Sequence, residues 1–249
     1  MMSLNKMSLG VIVKKQFQYK LKAYASVFSS LVVLQIIAIL FSLGGNGSSG
    51  SYNNNLSINT TLYTNTSVLI LTMLWIVIHA IMITTKAERE NGFTFVSNQL
   101  SNNLSNALFL LLASVLGGIT TILASFLLRV IVYFFIDTNP IIGTGFTYQL
   151  SDVLIGIVAM IFYLILLGSF GYLLGMITQL HRMLPVIVPV LVIGMIITIA
   201  QTESDVIIRF SEFYYQETNA LFFILKILVT SILCFIGAIL VSHRLEARR

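Results

Sequence analysis

Six long apolar runs constrain this sequence more than any other feature. They cover residues 24–43, 67–85, 106–136, 153–177, 183–200 and 220–241. A helix needs about 20 mostly apolar residues to cross the roughly 30 Å of hydrocarbon in a bilayer. We therefore expect an all-α integral membrane protein with six transmembrane helices. Only 9% of the residues are charged, against roughly 25% in soluble domains, which excludes a water-soluble globule.

The positions of the basic residues predict the orientation of these spans. With both termini inside, the inner segments hold eleven Lys and Arg residues, and the outer loops hold only Arg209. Because positive charge collects on the cytoplasmic side of membrane proteins, we expect a multi-pass protein of the cell membrane with both termini cytoplasmic. The same distribution explains the net charge of +5 by topology and gives no reason to expect nucleic acid as a partner. The Asn, Ile and Leu bias is typical of a low-GC bacterial gene.

We expect one domain over residues 1–249, with a leader at 1–23, a six-span bundle at 24–241 and a tail at 242–249. The leader repeats one apolar and one polar position every four residues: Val13, Phe17 and Leu21, with Lys14, Gln18 and Lys22 beside them. This pattern predicts an amphipathic helix in the inner headgroup layer, its lysines against anionic lipid. A basic topology anchor without helical structure is the alternative. The loop over 44–66, rich in Gly, Ser and Asn, is interpreted as flexible and exposed.

Catalytic and metal-binding patterns are largely missing. No Gly-Lys pair occurs, so the phosphate-binding pattern G-x-x-x-x-G-K-[ST] is absent and we expect no ATP hydrolysis by this chain. His79, His181 and His243 are far apart in the sequence, and Cys234 is the single cysteine, so we expect no metal site. We predict no catalytic residue and no cofactor in this chain. An intramembrane enzyme with Ser169 as its nucleophile is a weak rival hypothesis.

Three glycines and two charges inside the predicted spans are candidate structural sites. Gly168, Gly171 and Gly175 are expected to form a close helix-packing face. Arg129 and Lys226 are ionisable groups within spans, where such groups are costly and often functional. We expect each to snorkel to the interface or to pair with an acid there. The candidate partners are Asp137 or Asp152 for Arg129, and Glu212 or Glu217 for Lys226.

The segment after the second span has the most distinctive pattern. Glu88, Arg89 and Glu90 alternate in charge before Asn91-Gly92, which breaks a helix. An apolar stripe at helical spacing follows: Phe93, Val96, Leu100 and Leu104. This periodicity predicts a short amphipathic helix at the cytoplasmic membrane surface. Its apolar face could lie against lipid and the other spans, or it could be offered to a soluble partner.

In its layout and in this loop, the chain resembles the membrane subunits of type-two ABC exporters, a family that exports drugs, polysaccharides and peptides. The local resemblance is carried by Glu88-Arg89-Glu90-Asn91-Gly92, followed by Thr94, Val96 and Leu100-Ser101. In that family such a loop leads into a coupling helix that docks on the ATPase subunit. The chain departs from the family pattern at three places: Gln99 before Leu100-Ser101, Asn102-Asn103 after it, and Asn106-Ala107 where a Gly-Lys pair is usual.

The resemblance implies an ABC transporter permease that depends on separate subunits for energy. It would pair with a second permease subunit, identical or different, and with two copies of an ABC ATPase that binds ATP and Mg²⁺. The ATPase-coupling residues it implies are Glu88, Arg89, Glu90, Gly92, Phe93, Val96, Leu100 and Leu104. An apolar subunit interface favours export of an amphipathic peptide, a lipid-like molecule or a hydrophobic drug. The alternative function is a non-transporting immunity or sensor protein that shelters its host from a bacteriocin.

Overall fold

The structure is a computed structural model. It describes residues 8–45, 47–53, 56–62, 64–85, 99–135, 149–180, 183–185, 187, 190–191, 194, 198 and 219–246. Within this part of the chain, the elements are α1 Leu9–Ala23, α2 Ala25–Leu43, β1 Gly47–Asn53, β2 Leu56–Leu62, α3 Thr66–Met82, α4 Gln99–Phe135, α5 Leu150–Thr178 and α6 Ala220–Glu246.

Four of these helices are long and apolar enough to cross a membrane. They are α2, α4, α5 and the part of α6 from Ala220 to Ser242. Helix α3 is also apolar but shorter, at 17 residues. These helices agree with the prediction of a multi-pass helical membrane protein. The fifth predicted span, 183–200, lies mostly outside the described residues, so the number of six spans and their orientation stay predictions.

Helix α4 is much longer than a membrane crossing requires. It runs without interruption for 37 residues, which at 1.5 Å per residue gives about 55 Å. The sequence prediction began the third span at residue 106, whereas the helix begins at Gln99. No proline occurs between Gln99 and Phe135, so nothing in this stretch removes a backbone donor and breaks the helix.

The segment between α2 and α3 contains a β-hairpin, which corrects the interpretation of residues 44–66 as a flexible loop. Strands β1 and β2 pair antiparallel, from Gly47 opposite Leu62 to Asn53 opposite Leu56. Helix α2 ends just before it, where Gly45 takes a φ of 81°, a left-handed conformation that favours glycine. In β2, Leu56, Ile58 and Leu62 alternate with polar residues, which is a strand pattern.

The described residues form two compact units. Unit one consists of the described residues within Met1–Lys22, Val77–Leu111 and Ile165–Arg249, and unit two consists of those within Ala23–Ile76 and Leu112–Leu164. Helices α3, α4 and α5 contribute residues to both units. Lys20 and the start of α4 belong to unit one, which therefore contains the site described below.

In unit two, residues of α2, α3, α4 and α5 pack around a core that contains both apolar and polar side chains. One apolar cluster in this unit consists of Ala38, Ile39, Val68, Ala124 and Leu128. Trp75 is 2% exposed and donates a hydrogen bond from Nε1 to Ser30 Oγ at 3.0 Å. Helix α4 approaches α5 closely at Gly118, where a Cβ atom would lie 3.1 Å from the backbone nitrogen of Ile161. The same Cβ atom would also meet the side chain of Ile161, so glycine permits the two helices to pack closely at this crossing.

The exposed faces of the long apolar helices carry many large apolar side chains. On α3, one row of residues at four-residue spacing is about half exposed throughout: Ile70, Leu74, Ile78 and Met82. In a water-soluble protein, such a continuous row would mark an interaction surface. In a membrane protein, the lipid tails are as apolar as these side chains, so the row needs no protein cover.

Candidate functional site

The first two turns of α4 carry a dense run of polar residues. We call this run the α4 polar end, and it consists of Gln99, Ser101, Asn102, Asn103, Ser105 and Asn106. Most of these side chains are buried; Ser105 is 0% exposed and Asn106 is 2% exposed. Because burying a polar group without a hydrogen bond is costly, the partners of these side chains determine what the segment can do.

Lys20 of α1 places its ammonium group among these polar side chains. Its Nζ donates to Asn102 Oδ1 and to Ser105 Oγ, both at 2.7 Å, and to Asn106 Oδ1. The backbone oxygen of Asn102 lies 3.4 Å from the same nitrogen. Lys20 is only 7% exposed. A buried ammonium needs acceptors for its three N–H groups, and the α4 polar end supplies them.

The same polar end is bonded to two further helices. Asn106 Nδ2 donates to Tyr172 Oη of α5 at 3.2 Å, and that hydroxyl donates to Asn103 Oδ1 at 2.9 Å. From α6, Ser242 Oγ donates to Gln99 Oε1 at 2.9 Å. The start of α4 is therefore held to α1, α5 and α6 by side-chain hydrogen bonds, all within unit one.

Two of the eight predicted ATPase-coupling residues are described. Leu100 and Leu104 lie in the first two turns of α4 and are 37% and 43% exposed. They belong to the long helix α4 rather than to a separate short helix, since no break follows them. The other six lie outside the described residues: Glu88, Arg89, Glu90, Gly92, Phe93 and Val96.

The predicted glycine face of α5 lies against α3. A Cβ atom on Gly171 would lie 3.0 Å from the backbone oxygen of Val77, and one on Gly175 would lie 3.0 Å from Ile81 Cα. Gly168, one turn earlier, is buried. A Cβ atom on Gly175 would also meet the side-chain hydroxyl of Thr84, and one on Gly171 would lie 3.1 Å from the Cβ of Ala80. Glycine at these two positions therefore permits the close approach of α5 to α3.

The predicted membrane charges are only partly placed. Arg129 and Lys226 are both half-buried. Asp152 is exposed in the first turn of α5. The remaining proposed partners, which are Asp137, Glu212 and Glu217, lie outside the described residues. The pairing of these charges stays a prediction.

Ser169 has the surroundings of a structural hydroxyl. It is 0% exposed, and its Oγ donates to the backbone oxygen of Leu166 at 2.7 Å. The hypothesis of an intramembrane enzyme stays untested by this placement of Ser169. Among the residues that the structure describes, no group of three or more His, Cys, Asp or Glu side chains could hold a metal ion.

Unit two contains a second buried polar cluster, centred on Gln35 of α2. Its Nε2 lies 3.0 Å from Thr120 Oγ1, 3.3 Å from Thr121 Oγ1 and 3.4 Å from Thr72 Oγ1. Gln35 is 7% exposed, while Thr72 and Thr121 are 0% exposed. This amide joins α2, α3 and α4 where the surrounding side chains are apolar, so it helps to fix how these helices pack.

Sequence reasoning missed the residues that organise both clusters. Lys20 was counted only as a basic topology residue, and Asn102, Asn103 and Asn106 were noted only as departures from a family pattern. The available signal was a run of hydrogen-bonding side chains at the start of a long apolar segment. Such a run predicts buried partners, but it does not identify them.

Comparison of the chain with models of known families, with curated proteins and with solved structures gives no match. The likeness to ABC exporter permeases therefore rests on the layout and the loop residues alone. The function must be argued from the α4 polar end and from the sequence pattern that precedes it.

Proposed function

We propose that the chain is the transmembrane subunit of an ATP-driven ABC exporter. It forms the translocation path with a second permease subunit, identical or different. Two copies of a separate ABC ATPase supply the energy and bind ATP and Mg²⁺. One observation carries the proposal: the polar residues interspersed with Leu100 and Leu104, the last two predicted ATPase-coupling positions, are bonded to three other helices.

This arrangement suits an element that receives force from outside the membrane. Coupling between distant sites is carried by rigid secondary structure and by hydrogen-bond networks. Helix α4 continues unbroken from its polar end through the length of a membrane crossing. A displacement imposed on residues 88–98 would move α4 directly. It would also reach α1 and α5 through Lys20 and Tyr172.

The character of the exposed surface supports an apolar cargo. On α2, one face carries a row of large apolar residues that are 45% to 67% exposed: Val33, Ile36, Ile37, Leu40 and Phe41. The resemblance puts the first span at the interface between the two permease subunits. A path with such a lining suits an amphipathic peptide, a lipid-like molecule or a hydrophobic drug. A sugar or an ion would lose its hydration there without gaining polar contacts.

The direct test is whether the chain binds an ATPase through its apolar stripe. The full-length chain, carrying an affinity tag, is purified from membranes of its own host, and the eluate is assayed for ATP hydrolysis and for a chain with a nucleotide-binding motif. We expect both in the wild type. Val96→Asp puts a charge on the stripe and should abolish both, whereas Ser97→Asp puts the same charge on the polar side and should retain them.

Two results would contradict the proposal. One is a well-folded wild-type chain that purifies with no ATPase subunit, and the other is an equal loss for Val96→Asp and Ser97→Asp. Protection of cells against a bacteriocin without any ATP turnover would favour the immunity alternative. Stimulation of ATP hydrolysis by a sugar, but not by amphipathic peptides or hydrophobic drugs, would refute the proposed cargo class and leave the ATPase partnership standing.

A further inference from the structure

The lysines of helix α1 lie on two different faces of the helix. Lys14, Lys15 and Lys22 are exposed, whereas Lys20 is 7% exposed and bonded to the α4 polar end. The inward face also includes Gln16, which is 5% exposed. With 3.6 residues per turn, the three exposed lysines fall within an arc of about 100° around the helix axis. One side of α1 is therefore a basic surface, and the other side is attached to the protein.

The exposed side of α1 has the composition of a membrane-surface helix. The sequence of α1 contains no acidic residue, so the exposed lysines have no counter-charge on their own helix. Val11 lies within the lysine arc and Tyr19 lies beside it, and they are 45% and 46% exposed. Lysines interspersed with apolar and aromatic side chains are typical of helices in the headgroup layer. Charge complementarity thus favours an anionic lipid surface as the occupant of this face.

We propose that α1 binds anionic phospholipid headgroups through Lys14, Lys15 and Lys22, and that Lys20 couples this binding to the α4 polar end. A ligand that binds the attached arrangement of α1 stabilises that arrangement by mass action. Because Lys20 joins α1 to Asn102 and Asn106, the stabilisation extends to the first turns of α4. Anionic lipid then controls the stability of the α4 polar end. This inference goes beyond the transporter proposal and requires no ATPase.

The expected size of the effect follows from the number of lysines. Each lysine near an anionic membrane surface strengthens binding by about fivefold. Screening weakens such contacts over about 8–10 Å at physiological ionic strength, so the effect should fall as salt is raised. Only part of this binding free energy stabilises the folded state against local opening. We therefore expect about a tenfold slowing of amide hydrogen exchange in residues 9–23 and 99–110.

The test uses the full-length chain in nanodiscs of phosphatidylcholine, with and without phosphatidylglycerol. Hydrogen exchange is measured by mass spectrometry in peptides that cover residues 9–23 and 99–110. In the wild type, phosphatidylglycerol should slow exchange in both segments. The double variant Lys14→Gln with Lys15→Gln should lose most of this response. The matched control, Arg248→Gln with Arg249→Gln, removes the same charge from the predicted cytoplasmic tail and should keep it.

The coupling step is tested separately through Lys20. In Lys20→Met, phosphatidylglycerol should still slow exchange in residues 9–23 but no longer in residues 99–110. If this variant does not give a monodisperse helical protein, Asn102→Ala removes an acceptor instead and should reduce the response of residues 99–110 alone. An unchanged response of residues 99–110 in the folded variant would refute the coupling.

Other outcomes would overturn the lipid site itself. These include no effect of phosphatidylglycerol on wild-type exchange, an equal loss of response in the tail control, and the same slowing by inorganic phosphate added to phosphatidylcholine nanodiscs. A fourth is that the Lys14 and Lys15 double variant keeps its lipid response but no longer binds an ATPase. In that case the basic face docks a protein and not a membrane.

Discussion

Replacing Lys20 by methionine should destabilise the protein far more than replacing a neighbouring exposed lysine. Methionine keeps most of the apolar stem but removes the ammonium group. That group donates to Asn102 Oδ1 and Ser105 Oγ at 2.7 Å and to Asn106 Oδ1. Hydrogen bonds with a charged partner contribute about 1.5–3 kcal/mol each, so the gross loss for three of them is about 4.5–9 kcal/mol.

Several effects reduce this gross figure. Asn102 is only half-buried, so its side chain can bond to water in the variant. Ser105 Oγ keeps its bond to the backbone oxygen of Asn102 at 2.8 Å. The variant also no longer buries a charge, which is itself costly. The main remaining penalty is an unpaired oxygen on Asn106, which is 2% exposed. We expect a net loss of about 3 kcal/mol in the free energy of unfolding.

The assay is unfolding of the full-length chain in mixed micelles, titrated with SDS and followed by far-ultraviolet circular dichroism. The control is Lys14→Met on the exposed face of α1, which should change the free energy of unfolding by less than about 0.5 kcal/mol. A double-mutant cycle of Lys20→Met with Asn106→Ala should give a coupling energy of about 1 kcal/mol or more. Equal effects of the two lysine variants, or a coupling energy near zero, would show that the buried network is not what holds α1 to α4.

Three further substitutions, one of them with a matched control, test the helix contacts in the same assay. Gly175→Val should destabilise by about 1–3 kcal/mol, because its Cβ would meet the Thr84 hydroxyl and the backbone of Ile81. Gly156→Ala is the control and should be tolerated, since its nearest neighbour lies at 3.7 Å. Gln35→Leu should cost about 1 kcal/mol by removing the amide that joins α2, α3 and α4; a neutral result would mean that the threonines alone suffice. Tyr172→Phe removes the hydroxyl from two hydrogen bonds and should cost about 1–2 kcal/mol, with no change in helix content.

The helices were largely predictable because long apolar runs have few alternatives in a membrane. The first span was expected at 24–43 and α2 covers Ala25–Leu43; the fourth was expected at 153–177 and α5 covers Leu150–Thr178. Lipid offers no hydrogen bonds, so an apolar run of this length must satisfy its backbone internally and becomes a helix. The start of α4 was harder to predict, because its first two turns are mostly polar, and their apolar positions Leu100 and Leu104 predicted a separate short helix instead.

The hairpin between α2 and α3 was missed because composition was given more weight than periodicity. Gly, Ser and Asn are typical of flexible segments, and they dominate residues 44–66. The alternation of Leu56, Ile58 and Leu62 with polar residues was nevertheless present, and it is the pattern of a strand. A short strand becomes stable only when it pairs with another strand. The alternation within residues 56–62 does not show that Gly47–Asn53 is the partner strand.

The buried role of Lys20 could not be derived from the sequence for a related reason. The periodicity of α1 predicts an amphipathic helix, but five basic residues precede the first span and the pattern does not say which one turns inward. The acceptors lie more than 80 positions away, on Asn102, Ser105 and Asn106. Only the folded arrangement brings them together. Choosing among the lysines therefore required the structure, while the existence of the helix did not.

The length of α4 decides how its exposed leucines should be understood. Hydrocarbon accommodates about 20 helical residues, so about 17 of the 37 lie beyond it. If most of this surplus is at the polar end, Leu100 and Leu104 lie outside the hydrocarbon, where exposed apolar side chains need a cover other than lipid tails. An exposed stripe inside the hydrocarbon would need no partner at all. The comparison of Val96→Asp with Ser97→Asp tests whether a protein surface covers the stripe. A charge in the headgroup layer is tolerated where only lipid and water surround it, whereas a charge under a protein surface disrupts binding.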